Sequence, residues 1–314
     1  MTAGPDLRAT PAGASAGTAI ASAAPVAAAQ AGPVGDRWAR PRRAIVYALL
    51  IGYSILMLLP FAWSVSASFK TQAQAQGGEL TLIPDPVSLE GWKNAFTALD
   101  PAIPQLFLNS AGVAAAVTIS NLVLASMAGY AFARLRFPGK ELLFILVLAT
   151  LMIPDQLRLV PVYQILKNLG LLRGELQYAG LWLVLAIGGM SIFLMRQYFQ
   201  SIPVALEEAA KIDGAGVFTR FWRVILPLAT PALAAVAILQ FQGTWNGFFW
   251  PLIILQERSH WTLPLGVAQF RQLYSTQWPE LMAVVVMATI PIVILYIFFQ
   301  RYFVEGIAAS GVKG

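Results

Sequence analysis

EEAAKIDGAGVFTRFWRVILP, residues 207–227, is a charged segment set between two long apolar runs. Its local signals are those of a helical hairpin. Ser201 suits an N-cap, and Pro203 fits a first helical turn, where no amide donor is needed. Glu207 and Glu208 follow near that end, where carboxylates complement the helix dipole. Ala209, Ala210 and Ile212 continue a compact helical surface, and Gly214 can adopt the left-handed conformation that ends it. Val217 to Leu226 reads as a second short helix, with Phe218, Phe221, Trp222 and Ile225 on its apolar side. Pro227 marks the join to the next apolar run.

What flanks this segment is membrane-like. Only 11% of the 314 residues are charged and 58% are hydrophobic, against about 25% charged in ordinary soluble domains. No charge occurs over 44–69, 101–133, 176–195, 224–256 or 281–300. About 20 apolar residues cross a bilayer as a helix, so each of these runs qualifies. A sixth run, 142–154, is short and ends at Asp155 and Arg158. It is expected to continue to about Tyr163 as a span bent at Pro154, where a backbone hydrogen bond is released.

The net charge of +6 reflects orientation signals, not a nucleic-acid surface. With the N-terminus inside and six spans, 14 Lys and Arg fall in inner segments and 7 in outer ones. That asymmetry favours both termini in the cytoplasm. The expected fold is therefore an all-α polytopic membrane protein with six transmembrane helices, with residues 207–227 projecting inward.

Residues 1–40 form an Ala/Gly/Pro-rich tail. Over 1–36 there is too little apolar surface to offset ordering entropy, and a disordered cytoplasmic segment is expected. Trp38, Arg40, Arg42 and Arg43 then anchor the first helix at headgroup level. In the longest outer loop, about 68–106, Ser88 is the expected cap of a short helix to Phe96, with Trp92 on its apolar side. Trp261 and Trp278 are interface anchors in the last outer turn. There is no cysteine, which excludes disulfides, thiolate metal sites and thiol nucleophiles. The single His260 reads as a solvated loop residue. No catalytic residue and no metal site are expected, and the chain has no phosphate-binding G-x-x-x-x-G-K-[ST] loop for ATP.

The spacing in the hairpin resembles the EAA loop of bacterial ABC importer permeases. That pattern is Glu-Ala-Ala, three residues, Gly, nine residues, Ile, one residue, Leu-Pro. It stands here as Glu208-Ala209-Ala210, Gly214, Val224 and Leu226-Pro227, with Val in place of Ile. Asn109-Ser110, AGYAFARLRFPG at 128–139, MIPDQ at 152–156, MRQYFQSIP at 195–203, WNGFFWPLI at 245–253 and the ending QRYFVEGIAASGVKG at 300–314 resemble the maltose-type carbohydrate permeases. The likeness runs from about residue 40 to 314 and is greatest to the second, maltose-G-like, subunit. Gly247 stands where that family commonly has Asp.

The resemblance implies a type I ABC importer permease domain over 41–314, its coupling loop at about 199–227. It implies a second permease subunit, two cytoplasmic ATPase subunits carrying ATP and Mg, an extracytoplasmic solute-binding protein and a sugar substrate. Glu207, Glu208, Ala209, Ala210, Asp213, Gly214, Leu226 and Pro227 are the implied ATPase-coupling residues. Gly311, Val312, Lys313 and Gly314 match the tail that touches the ATPase dimer in that family. Closure of the ATPases on ATP would draw the two hairpins together and rock the helices to open the cavity outward.

In the fifth span, Gln242 and Asn246 share one helix face, as do Gln240 and Thr244. Amides in hydrocarbon pair or face water. Gln240, Gln242 and Asn246 are either translocation-path residues or interhelical hydrogen-bonding groups. Asp155 and Arg158 read as a local pair at an outer interface, or as a contact for the binding protein. Gly188-Gly189 permits close packing or a break. Within the importer class the alternative cargo is glycerol-3-phosphate or another polyol. An ion-coupled secondary transporter wants an ionisable group deep in a span, which the charge-free runs do not supply.

Overall fold

The computed structural model describes residues 39–77, 81–97, 100–273 and 277–310, with side chains over 41–77, 81–97, 100–268 and 277–300. The tail expected over 1–36 and the anchor at Trp38 lie outside the described residues. Two units divide at residue 54: Met1–Ser54 and Ile55–Gly314. Among the described residues all regular structure is helical.

The helices are α1 (Ala39–Ala67), α2 (Gln72–Gln76), α3 (Glu90–Thr97), α4 (Ile103–Arg134), α5 (Lys140–Leu151), α6 (Asp155–Asn168), α7 (Leu176–Leu185), α8 (Gly189–Ser201) and α9 (Val204–Ile212). There follow α10 (Val217–Thr219), a π-helical turn (Arg220–Ile225), α11 (Leu226–Leu228), α12 (Thr230–Trp245), α13 (Phe249–Ile254), α14 (Leu263–Leu273) and α15 (Trp278–Ser310). Three helical stretches are long and apolar enough to cross a membrane alone: Pro41–Ala67, Ile103–Arg134 and Trp278–Gln300. The other candidates are bent pairs: α5 with α6 at 105°, α7 with α8 at 46°, and Val217–Leu228 with α12 at 78°. Counting each pair as one gives up to six.

The bends follow from the sequence. At Met152–Pro154 the proline disfavours helical backbone at Ile153, and α6 restarts with Asp155 in its first turn. The run 142–163 is therefore two helices bent by 105°, the geometry of a broken span or of a re-entrant loop. Gly188 is extended (φ −116°, ψ 135°) between α7 and α8. Pro231, in the first turn of α12, cannot donate back to the preceding turn, and the chain turns there.

α4 is the central element. It packs most extensively on α8 and α12 and contributes to three buried clusters in turn. Ile103, Leu106 and Ala114 meet Trp245, Leu263 and Val284. Val113 and Val117 meet Leu181, Trp250 and Ile254. Tyr130 meets Met195, Phe199, Phe221 and Ile225. α4 and α8 come close at Gly129, where a Cβ would lie 2.7 Å from the Met195 Cβ and 2.9 Å from the Arg196 nitrogen. No residue larger than glycine lets α4 and α8 meet at this distance.

The described residues between α1 and α4 carry more local structure than the prolines there suggest. Thr71 and Gln74 form a capping box on α2. Ser88 Oγ accepts from Glu90 N at 3.2 Å, but α3 starts at Glu90, which puts Ser88 one residue before the cap position expected of it. Trp92 Nε1 donates to Ser68 Oγ at 3.2 Å, and Asn94 Nδ2 donates to Glu280 Oε1 at 3.1 Å. Lys70, counted from sequence as a loop charge, is 1% exposed with Nζ 4.1 Å from the Trp63 ring centroid. His260 also departs from expectation. It is 5% exposed, edge-on to Tyr178, with Nε2 3.2 Å from Glu175. Two nearby carboxylates and an aromatic ring draw it out of water.

Candidate functional site

The hairpin begins at the end of α8. Ser201 is not the N-cap expected of it. It is the last residue of α8, its hydroxyl bonded to Tyr198 O at 2.8 Å, and Pro203 holds the cap position before α9. Two residues, Ile202 and Pro203, separate the helices where the sequence suggested one start signal. α9 then runs to Ile212, and Gly214 follows with φ +82°. Its amide bonds Lys211 O at 3.1 Å, and Ala215 N reaches Ala210 O at 2.9 Å. This left-handed closure is the one expected of Gly214.

The second helix is not uniform. Its middle turn, Arg220–Ile225, is π-helical, which admits one extra residue per turn. The four apolar residues therefore split between two faces. Phe221 (3%) and Ile225 (0%) are buried in the cluster with Tyr130, whereas Phe218 (71%) and Trp222 (47%) are exposed.

Glu207 and Glu208 also part company. Glu208, Ala209, Lys211, Ile212, Asp213 and Gly214 are exposed, Ala210 and Leu226 are partly buried, and Pro227 is exposed. Glu207 is turned inward, with 13% of its side chain exposed. Tyr130 Oη donates to its Oε1 at 2.6 Å. Arg134 Nε lies 3.7 Å away, and Arg220 Nε lies 3.5 Å away. The same Arg134 donates through Nη2 to Phe199 O at 2.6 Å and also to Ile202 O. These are carbonyls at the end of α8, where intrahelical donors run out. Arg220 donates to Ala215 O at 3.0 Å. One carboxylate thus ties α9 to the end of α4 and to the second hairpin helix.

Tyr130, Arg134 and Arg220 are functional-site residues that the sequence reading did not single out. The signal was present: Tyr130 and Arg134 are four apart and share a face of α4, inside the quoted stretch at 128–139. Asn109-Ser110 is explained as well. Asn109 Nδ2 donates to Ser259 O at 2.8 Å, and Ser110 Oγ accepts from Leu263 N at 2.7 Å.

With Glu207 satisfied inside, the hairpin presents Val204 (53%), Leu206 (45%), Ile212 (86%), Phe218 (71%) and Trp222 (47%) outward, interspersed with Glu208, Lys211 and Asp213. Large apolar side chains ringed by charge mark a surface that contacts protein or membrane.

Away from the hairpin, Gln240 and Thr244 share a face of α12 as their spacing implies, and Gln240 Nε2 donates to Thr244 Oγ1 at 3.1 Å within the helix. Gln242 and Asn246 lie on an exposed face. Asp155 and Arg158 form the expected local pair. Gly188 lies in the break, and Gly189 packs close to α5: a Cβ there would be 3.1 Å from Thr150 Oγ1. No group of three or more His, Cys, Asp or Glu that could hold a metal exists among the described residues. Gly311, Val312, Lys313 and Gly314 lie outside the described residues.

Comparison with known proteins follows the same line. Residues 121–308 match the family described as binding-protein-dependent transport system inner membrane component. The arabinooligosaccharides transport system permease protein of Halalkalibacterium halodurans is 36% identical over 85% of this chain and 96% of its own length. The diacetylchitobiose uptake system permease protein of Streptomyces coelicolor is 35% identical over 82% of this chain and 85% of its own. The sn-glycerol-3-phosphate transport system permease protein of Yersinia pestis is 34% identical over 83% and 94%. Among solved structures, a chain of a bacterial ABC transporter importing the acidic polysaccharide alginate superposes with a TM-score of 0.71. It is 25% identical, over 87% of this chain and all of that one. The chain belongs to the family of inner membrane components of binding-protein-dependent transport systems, and is a permease subunit of an ABC importer.

Proposed function

We propose that this chain is one of two permease subunits in an ATP-driven importer of a sugar or oligosaccharide. In this reading it crosses the bacterial cytoplasmic membrane six times with both termini inside. A second permease subunit, two cytoplasmic ATPase subunits and an extracytoplasmic solute-binding protein complete the machine. ATP and Mg bind to the ATPases, and this chain holds neither. The observation that carries the reading is the outward apolar and charged face of the 204–222 hairpin, with Glu207 braced against α4 behind it. A force applied to that face passes through α9 and Glu207 into α4, the helix around which the fold is packed.

Within the coupling loop, Glu208, Ala209, Asp213 and Gly214 make up the docking surface. Glu207, Ala210, Leu226 and Pro227 fix its orientation. Val312, Lys313 and the glycines beside them are proposed to contact the ATPase dimer from the C-terminal tail. The permeases for arabinooligosaccharides and diacetylchitobiose support a carbohydrate cargo. The glycerol-3-phosphate permease keeps a phosphorylated polyol as the second reading.

The test is reconstitution of the complete complex in proteoliposomes. Glu208→Lys is expected to reduce ATP-dependent uptake by at least tenfold while membrane insertion of the subunit stays at the wild-type level. Wild-type uptake by this variant would remove the docking role.

A further inference from the structure

We infer that this subunit carries its own solute subsite, for a neutral hydroxyl-rich molecule, in the cavity where its broken helices meet; the inference rests on the importer reading above. The cavity measures about 560 Å³ and is walled by Thr150, Asp155, Arg158, Gly188, Gln240 and Trp250, together with aliphatic residues of α5, α7 and α8. That volume suits a small-molecule site. The breaks at 152–154 and 186–188 both open onto it. Irregular backbone at membrane depth is tolerated where it lines a cavity, and interrupted helices are where transporters place their substrates.

The wall has donors, acceptors and an apolar platform. Arg158 supplies a guanidinium and Asp155 a carboxylate. Thr150 Oγ1 donates to Val147 O at 2.6 Å, which leaves its lone pairs to accept. Gln240 spends its amide nitrogen on Thr244, so its Oε1 remains an acceptor. Leu151, Ile187 and Met190 offer exposed apolar surface for a sugar ring's C–H face, with the edge of the mostly buried Trp250 behind them.

A second observation lies behind Gly188. Asn121 on α4 is 0% exposed, and neither of its amide atoms has a hydrogen-bond partner. A Cβ on Gly188 would stand 3.6 Å from Asn121 Nδ2, 3.7 Å from Ser191 Oγ and 3.9 Å from Gln240 Oε1. Three polar side chains therefore converge on Gly188, a lining residue that has no side chain. A buried amide with no partner is rare and costly, and here it is aimed at the cavity wall through the break.

Charge decides the class of ligand. Asp155 and Arg158 pair with each other, so the lining is neutral overall. An anion would gain the guanidinium but meet the carboxylate beside it. A neutral polyol uses both, with hydroxyls that donate to one and accept from the other.

The chain has no cysteine, so Thr150→Cys provides a single reporter, read by mass on this chain. Its modification by a methanethiosulfonate reagent is to be measured in the reconstituted complex with three probes. These are arabinotriose, N,N′-diacetylchitobiose and sn-glycerol 3-phosphate. A neutral probe that is transported is expected to slow the labelling at least fivefold. It should leave a control at exposed Gln197 (Gln197→Cys) unaffected. Gln240→Leu is expected to raise the KM for that probe three- to tenfold, while Gln240→Asn restores part of the loss. The inference is overturned if a probe is taken up without protecting Thr150→Cys, if Gln240→Leu keeps the wild-type KM, or if only the phosphate ester protects. Failure of the importer reading looks different: the wild-type complex then shows no ATP-dependent uptake of any of the three.

Discussion

Two adjacent glutamates in the hairpin do opposite things. Glu208 is exposed, whereas Glu207 shares a mostly buried site with Tyr130, Arg134 and Arg220. Removing the Glu207 carboxylate leaves two guanidinium groups close together, 8% and 14% exposed, with no counter-charge. Breaking a buried ion pair from one side costs roughly 3–5 kcal/mol. The loose 3.5–3.7 Å geometry puts this site at the lower end. Glu207→Ala is therefore expected to destabilise the detergent-solubilised subunit by about 3 kcal/mol, seen as a lower thermal midpoint. Glu208→Ala should leave that midpoint within the scatter of the wild type, as exposed substitutions do. Equal midpoints for the two variants would dissolve the distinction. The sequence alone places both glutamates near a helix start and says nothing of which one turns in. That choice depends on residues 77 and 73 positions upstream in α4, which no local pattern can reveal.

At the level of helices, the outlines were legible, and the breaks at Pro154 and Gly188 were legible as places but not as angles. Long charge-free runs fix α1, α4 and α15 because their period and length satisfy the bilayer without help from neighbours. The interrupted spans also read as single apolar runs, since hydropathy averages over a bend. Only Pro154, Gly188 and Pro231 mark where the axis turns, and glycine or proline in a membrane helix does not by itself say by how much. The π-helical turn at 220–225 is invisible for the same reason: it shifts one residue, and the apolar count is unchanged. Gly129 gives this level its prediction. A Cβ at that position would already stand 2.7 Å from the Met195 Cβ, and Val adds two methyl groups to it. The neighbour is the Met195 stem and backbone of α8, which cannot rotate away. Gly129→Val is expected to cost at least about 3 kcal/mol, whereas Gly112→Val, with nothing within 4 Å, costs little. Thermal denaturation of the two purified variants separates these outcomes.

For the whole molecule, the decisive quantity is how many times the chain crosses. Among the described residues three helices are long and apolar enough to cross, and up to six spans result if each bent pair passes through. The 105° turn between α5 and α6 is the place where a re-entrant segment would reduce the number. Loop charge argues against that. If α5–α6 dipped and returned, every later segment would change sides. Lys211, Arg220 and Arg223 would then face outward and Arg258 inward, against the preference of basic residues for the cytoplasmic side. The hairpin would also present its apolar face away from any ATPase. Because the native chain lacks cysteine, single substitutions read the topology directly. Lys211→Cys is expected to react with a membrane-impermeant maleimide in inverted vesicles and to resist it in intact cells. Glu257→Cys, on the connection after α13, is expected to show the opposite. Reaction of Lys211→Cys from outside intact cells would put the hairpin on the wrong face of the membrane, and coupling through it would have to be abandoned. Protection of both positions from outside would leave the hairpin inside but place the α13–α14 connection there too. The chain would then turn back between α12 and α14, and the crossing to be struck out would be the fifth.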